Sequence, residues 1–245
     1  MAFVIVGEDR PGRWVISCDH ASNIVPPWVN GGDLGISPQD MARHIALDVG
    51  AAGLALALGE ALDSPVILSR FSRLVVDPNR GQDDPTLVMR LYDGTIIPGN
   101  RHITADEIRA RTERLYHPYH AALEGLMTRR EDTVLLAVHS FTPSLNGRAP
   151  RPWHVGVLYS RLGPALSLAL LRALSRDADL CVGDNEPYAG HLPGDSVDQH
   201  ALRTGRLNAL IEVRNDLIGD ERAQKAWAAR LVPHLWDALS EAETA

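Results

Sequence analysis

Four separate stretches of this chain carry an apolar run that ends abruptly in side chains able to do chemistry. Trp14-Val-Ile-Ser-Cys leads into Asp19-His20-Ala-Ser-Asn23, Leu74-Val-Val into Asp77-Pro-Asn-Arg80, Val134 to Val138 into His139-Ser140, and Ala209-Leu-Ile into Glu212-Val-Arg214. Singly, each has an ordinary explanation: a strand-end histidine hydrogen-bonds a loop, Glu212 pairs with Arg214, Arg80 staples a turn. Jointly they are complementary. Zinc in a hydrolytic site takes about three protein ligands, chiefly imidazole and carboxylate, and keeps a position for water. The metal acidifies that water and polarises a scissile carbonyl, while an unligated glutamate nearby accepts the proton and passes it to the leaving amine. A guanidinium fork a few ångströms away holds a substrate carboxylate through two parallel hydrogen bonds, and the Asn79 amide beside Arg80 adds a donor.

Such groups meet only if the elements beneath them converge. Short apolar runs over 13–17, 65–69, 74–76, 133–139, 154–159, 179–182 and 209–213 read as strands covered on both faces. Ser37-Pro38-Gln39-Asp40 offers an N-cap hydroxyl, a first-turn proline and an acid, predicting a helix from Pro38 to about Leu62. Thr104-Ala-Asp-Glu107 is a capping box opening a helix towards Arg130. "GPALSLALLRALSR" makes a third helix, and 220–243 a fourth in which Pro233 should cause a kink or a break. Alternating β and α segments predict an α/β fold: a mostly parallel or mixed central sheet with helices on both faces. In such sheets ligands bind beyond the carboxyl ends of the strands, where the four motifs lie.

Composition narrows the function. With 245 residues, 45% of them hydrophobic, the chain can bury a sizeable core as one domain spanning 1–245. A net charge of −7, with lysine and arginine scattered among acids, gives no footprint for nucleic acid. Cys18 and Cys181 are too few for a disulfide framework. The start "MAFVIVGEDRPGR" has no leader pattern, and no apolar run reaches a membrane span, so the expectation is a soluble cytoplasmic protein that engages neither nucleic acid nor membrane.

"CDHASNIVPP", "HIALDVGA", "SRFSRLVVDPNR", "DGTIIPGNR", "HSFTP", "RPWHVGVLYSR", "GDNEPYAG" and "ALIEVRNDLI" resemble the N-formylglutamate amidohydrolase family, a branch of the zinc-exopeptidase-like superfamily, over roughly residues 13–235. The resemblance implies metal-dependent hydrolysis of the amide of an N-acyl amino acid such as N-formyl-L-glutamate, with one zinc or another divalent metal per chain and a small-molecule substrate. The order of groups is also similar to that of zinc carboxypeptidases. By that likeness His20 and His139 are metal ligands, Asn79 with Arg80 binds the substrate carboxylate, and Glu212 is the general base. One position departs from the pattern: the carboxypeptidase glutamate three residues after the first histidine is Asn23 here, a poor zinc ligand. Asp48, on the predicted helix four residues after His44, is the candidate third ligand, with a solvated surface pair as the alternative. Arg101 and Arg214 are further substrate-binding candidates, Arg101 as a second guanidinium for a dicarboxylate and either one as the alternative to Arg80. Asn185 and Glu186 are substrate-loop candidates. His117 and His120, three apart around Pro118 without a nearby acid, argue weakly for a second metal. Ser140 lacks the nucleophile elbow of a serine hydrolase. The competing function is a catalytically decayed member that binds an amino-acid-like ligand as a sensor.

Overall fold

A computed structural model describes residues 1–244. In chain order the strands are β1 (Phe3–Val6), β2 (Trp14–Cys18), β3 (Val66–Ser69), β4 (Leu91–Tyr92), β5 (Thr95–Ile96), β6 (Val134–Phe141), β7 (Val155–Leu158), β8 (Val182–Asp184) and β9 (Asn208–Arg214). The helices are α1 (Pro38–Met41), α2 (Ala51–Ala61), α3 (Ala105–Arg111), α4 (His117–Thr128), α5 (Ala165–Leu174), α6 (Ser196–His200) and α7 (Glu221–Thr244). Seven strands form one sheet in the order β1-β3-β2-β6-β9-β7-β8, and β4 with β5 makes a small hairpin. The sheet is mixed, because β1 runs antiparallel to β3 and β7 antiparallel to β9. No described helix is long and apolar enough to cross a membrane.

Successive strand side chains point to opposite faces. Ile16, Leu136, Val157 and Ile211 therefore join one core under α2, α5 and α7, while Val15, Leu135, Ala137 and Leu210 join a second with Leu123 and Met127 of α4. Two residues beyond Ala137 and Leu210, the same alternation carries His139 and Glu212 onto the second face, directly opposite each other across the parallel β6–β9 pair.

Several expectations need correction. The helix predicted from Pro38 to Leu62 is two helices. Ser37 caps the first as expected, accepting from the Asp40 N–H at 3.0 Å. The chain then leaves helical geometry, and the Asp48 N–H that a helix would use internally donates instead to the His20 carbonyl at 2.9 Å. Gly50, at φ 80°, restarts the second helix where a Cβ would collide with the Ile218 carbonyl. Leu74-Val-Val76 is a buried turn and not a strand: Asn100 and Arg111 side chains, in place of a ladder, satisfy the carbonyls of Leu74 and Val75. Pro233 does not interrupt α7, since it and Ala229, whose carbonyl loses its partner, both face solvent while Leu231 and Leu235 stay buried. The Thr104–Glu107 capping box is present, and α3 passes through a π-helical turn at Thr112–Tyr116 into α4. β1 was not anticipated.

Candidate active site

The carboxyl ends of β2, β6 and β9 and the non-helical stretch before α2 deliver His20, His139, Glu212 and Asp48 to one cavity. Asp48 Oδ2 lies 2.7 Å from His139 Nδ1 and 3.2 Å from His20 Nδ1, and the two imidazole rings meet edge to face at 5.0 Å. One donor atom from each of the three residues falls within 4.8 Å of the others, and all three residues are buried. The outward nitrogens face further carboxylates: His20 Nε2 is 2.7 Å from Asp77 Oδ1, and His139 Nε2 is 3.7 Å from Asp19 Oδ2. The Asp77 hydrogen bond holds the His20 ring proton on Nε2 and turns Nδ1 inward, the arrangement that orients an imidazole toward a metal, while Asp19 stands near His139 Nε2 without bonding it.

The acids are fixed in turn. Tyr119 of α4 donates its O–H to Asp19 at 2.5 Å. Arg73 donates to Asp77 Oδ2 at 2.9 Å and 3.2 Å and to Asp48 Oδ1 at 3.3 Å, tying the two carboxylates together. Burial alone would raise the Asp19 carboxyl, but the nearby His139 imidazole, the charge of His20 and the Tyr119 hydrogen bond bring it down to about 2. Burial likewise opposes ionisation of Asp48, and His20 and His139 outweigh it. Burial disfavours a charged His139, yet the nearby Asp19 carboxylate and the hydrogen-bonded Asp48 lift it to about 10. With both imidazoles neutral, Asp19, Asp48, Asp77 and Glu212 face Arg73 and Arg80 with an excess of negative charge. A divalent cation offsets that excess; without one, protons on the imidazoles do so. The donor set fits zinc or a similar divalent metal.

Glu212 is the carboxylate left free. Its Oε2 is buried with no hydrogen-bond partner among the described residues. Burial raises its carboxyl to about 7, Asp48 adding to the effect and His139 and Arg73 opposing it. Across the cavity, Arg80 donates to Thr86 Oγ1 at 3.1 Å and to the Asn79 carbonyl at 2.7 Å and makes no ion pair among the described residues. Asn79 Oδ1 accepts from the Ser196 N–H at 3.2 Å, and the Arg80 carbonyl accepts from Tyr116 at 2.8 Å. Gly81 and Gly194 press together behind Arg80: a Cβ on Gly194 would stand 2.7 Å from the Gly81 Cα.

The model of the N-formylglutamate amidohydrolase family matches residues 12–219. The chain belongs to that family. It is 34% identical to a gene product of Agrobacterium tumefaciens, covering 99% of this chain and 96% of that one with a TM-score of 0.91. An N-formylglutamate amidohydrolase from Ralstonia eutropha matches at 23% identity over 99% of this chain and 97% of that one, with a TM-score of 0.70, a likeness of fold. No curated protein matches the chain.

Within this member of the N-formylglutamate amidohydrolase family, some candidates lie apart from the cavity. Asn23 donates to the Met41 carbonyl at 2.8 Å and is outside the donor cluster. Arg101 is exposed beyond the turn Pro98–Asn100, and Arg214 pairs with Asp216 at 2.8 Å; neither lines the cavity. Asn185 turns its loop by accepting from the Tyr159 and Gly190 N–H groups, and Glu186 is exposed. His117 bonds Gln82, whereas His120 bonds His200 and the Pro78 carbonyl, so the two do not share a ligand. Asp19, Arg73, Asp77 and the cavity-lining segment from Tyr188 to Leu192 were not foreseen as site residues. The acids of "CDH" and "DPNR" were visible signals, each adjacent to or near a nominated residue. Arg73 and Tyr188 to Gly190 lie inside the stretches "SRFSRLVVDPNR" and "GDNEPYAG", but the loop candidates there were Asn185 and Glu186.

Proposed function

We propose that this chain hydrolyses the amide bond of an N-acyl amino acid in a metal-dependent reaction, with His20, Asp48 and His139 as the ligands. The observation that carries this reading is the cluster of three buried donors beside a glutamate whose Oε2 has no hydrogen-bond partner among the described residues. When bound, a zinc ion or similar metal supplies Lewis acidity toward the acyl carbonyl and toward a water molecule. Arg80, with the Asn79 amide, takes the free α-carboxylate of the substrate and fixes the amide at the ligand cluster. Glu212 accepts the proton of the attacking water and hands it to the amine nitrogen as the C–N bond breaks. Asp77 and Asp19 keep the imidazoles oriented, and Arg73 holds Asp48 and Asp77 in place. A cytoplasmic location and a single catalytic domain belong to the same reading.

The test combines metal analysis of the purified protein with an amine-release assay over N-formyl and N-acetyl amino acids. About one metal per chain, loss of turnover on chelation and recovery on zinc addition are expected. His20→Ala should then lower metal content and abolish turnover while leaving the protein folded. A protein that binds no metal and releases no amine would sink the reading in favour of a ligand-binding sensor.

A further inference from the structure

Two imidazoles outside the cavity lining lie in series behind the Asn79-Arg80 segment. His120 of α4 places Nε2 3.0 Å from the Pro78 carbonyl and Nδ1 2.8 Å from Nε2 of His200, the last residue of α6. His200 Nδ1 is 2.8 Å from Oε2 of Glu124, one turn after His120 on α4. Both histidines are buried, whereas the Glu124 side chain is 47% exposed. The series therefore runs from solvent to the residue that precedes Asn79.

Its hydrogen bonds require one proton more than two neutral rings carry. A carbonyl only accepts, so His120 holds a proton on Nε2 and, as a neutral ring, accepts at Nδ1. His200 must then donate from Nε2 to His120 and from Nδ1 to Glu124, which makes it an imidazolium against a carboxylate. Burial and the charge of His200 bring His120 down to about 4, so it is the neutral member; Asp19 and His117 act on it in opposite senses. Tyr116 and Tyr119, whose rings flank His120, are kept un-ionised by burial, and Asp198 on α6 is taken by Arg203 at 2.7 Å. Removing the extra proton leaves two ring protons for three contacts. The carboxylate is the stronger acceptor and retains its donor, so each ring adopts the Nδ1–H form and His120 turns a lone pair toward the Pro78 carbonyl. Pro78 then keeps only the longer contact from Ser196 Oγ, at 3.3 Å.

We propose that Glu124, His200 and His120 form a proton-dependent strut behind the substrate-carboxylate site, holding Asn79 and Arg80 in place while protonated and loosening them as pH rises. The three are positioning residues, and the inference rests on the proposed function, in which Arg80 reads the α-carboxylate.

Glu124→Gln, at a half-exposed position, separates this from a purely structural role: its amide can donate to His200 Nδ1 and satisfy the series with two neutral rings. In zinc-saturated Glu212→Gln, neither turnover nor the Glu212 carboxyl contributes to binding. There, calorimetric Kd for N-formyl-L-glutamate should weaken by about five- to tenfold from about pH 6 to about pH 9, and that for its α-carboxamide should not. Adding Glu124→Gln should remove this pH dependence and keep the tighter value. Imidazole nitrogen NMR should show both nitrogens of His200 protonated at about pH 6 in the wild type and only one in Glu124→Gln. A single ring proton on wild-type His200 at that pH, or the same pH dependence with and without Glu124→Gln, would overturn the strut and leave the amidohydrolase reading standing. The expected pH dependence without amine release by the wild type would do the reverse, and absence of binding by both compounds would overturn both.

Discussion

Asp77 approaches His20 Nε2 to 2.7 Å through the same oxygen that accepts the Asn79 N–H at 2.9 Å. One atom thus orients a candidate metal ligand and sets the start of the Asn79-Arg80 segment. Asp77→Asn keeps the shape, removes the charge and leaves buried Arg73 short of a partner. Metal affinity should fall by about 10- to 100-fold, and KM should rise in parallel. Stability should drop by roughly 3 kcal/mol. Competitive metal titration, steady-state kinetics and denaturant unfolding on the same preparation read the three effects; a loss of stability alone would reduce Asp77 to a partner of Arg73.

Glu212→Gln tests the general base. The amide fills the same space but accepts no proton, so kcat should fall by about 10²-fold or more with metal content unchanged. Wild-type turnover in this variant would show that the partnerless carboxylate is not the proton acceptor.

Arg80→Ala should depress kcat/KM by on the order of 10²-fold for an N-acyl amino acid with a free α-carboxylate, yet change little for the corresponding amide. Arg80→Lys should restore only part, because an ammonium cannot form the two-pronged contact. Equal losses on acid and amide substrates would mean that Arg80 serves the loop through Thr86 and the Asn79 carbonyl.

The metal-free protein should lose stability as pH rises. Burial opposes charge on His139, but Asp19 and Asp48 lift it to about 10, so its contribution is complete below the ordinary imidazole value and lost as pH climbs through about 10. Glu212, raised by burial to about 7, has the same sign: its contribution is complete below its unfolded value and lost as pH rises through about 7. Bound metal takes the place of these protons, so affinity should grow about tenfold per pH unit for each proton displaced. Scanning calorimetry with and without zinc should show the gap between the two melting temperatures widening from about pH 6 to pH 9, and proton release should be visible in buffers of different ionisation enthalpy. A gap independent of pH would argue against metal at the imidazoles.

The sequence revealed most of what lies on strands. Apolar runs located β2, β6, β7 and β9, and the polar residues at their ends lie where the alternation of side chains puts them. Asp48 was nominated by a different route: a helix face was expected to present it, whereas a non-helical stretch fastened to the His20 carbonyl does so. Local propensity favoured a long helix there, and a tertiary hydrogen bond won. Arg73, and the segment from Tyr188 to Leu192, had no periodic or capping signal, since their positions depend on contacts far away in the chain. Arg101 and Arg214 lie outside the cavity lining for a related reason: a guanidinium near a motif in sequence says nothing of which side of the strand end it leaves from.

The contact between Gly81 and Gly194 bears on how this protein can change. Two loops that would otherwise vary independently, one carrying Arg80 and the other Leu192, are joined where no side chain fits on either partner. Gly194 also holds a φ of 80°, which favours glycine in its own right. Insertions and deletions on one loop are thereby coupled to the other. New substrate preferences are more readily reached by exchanging single side chains at 189–192 than by remodelling the loop. A library randomised at those positions should keep many folded members, whereas one randomised at 81 and 194 should keep few.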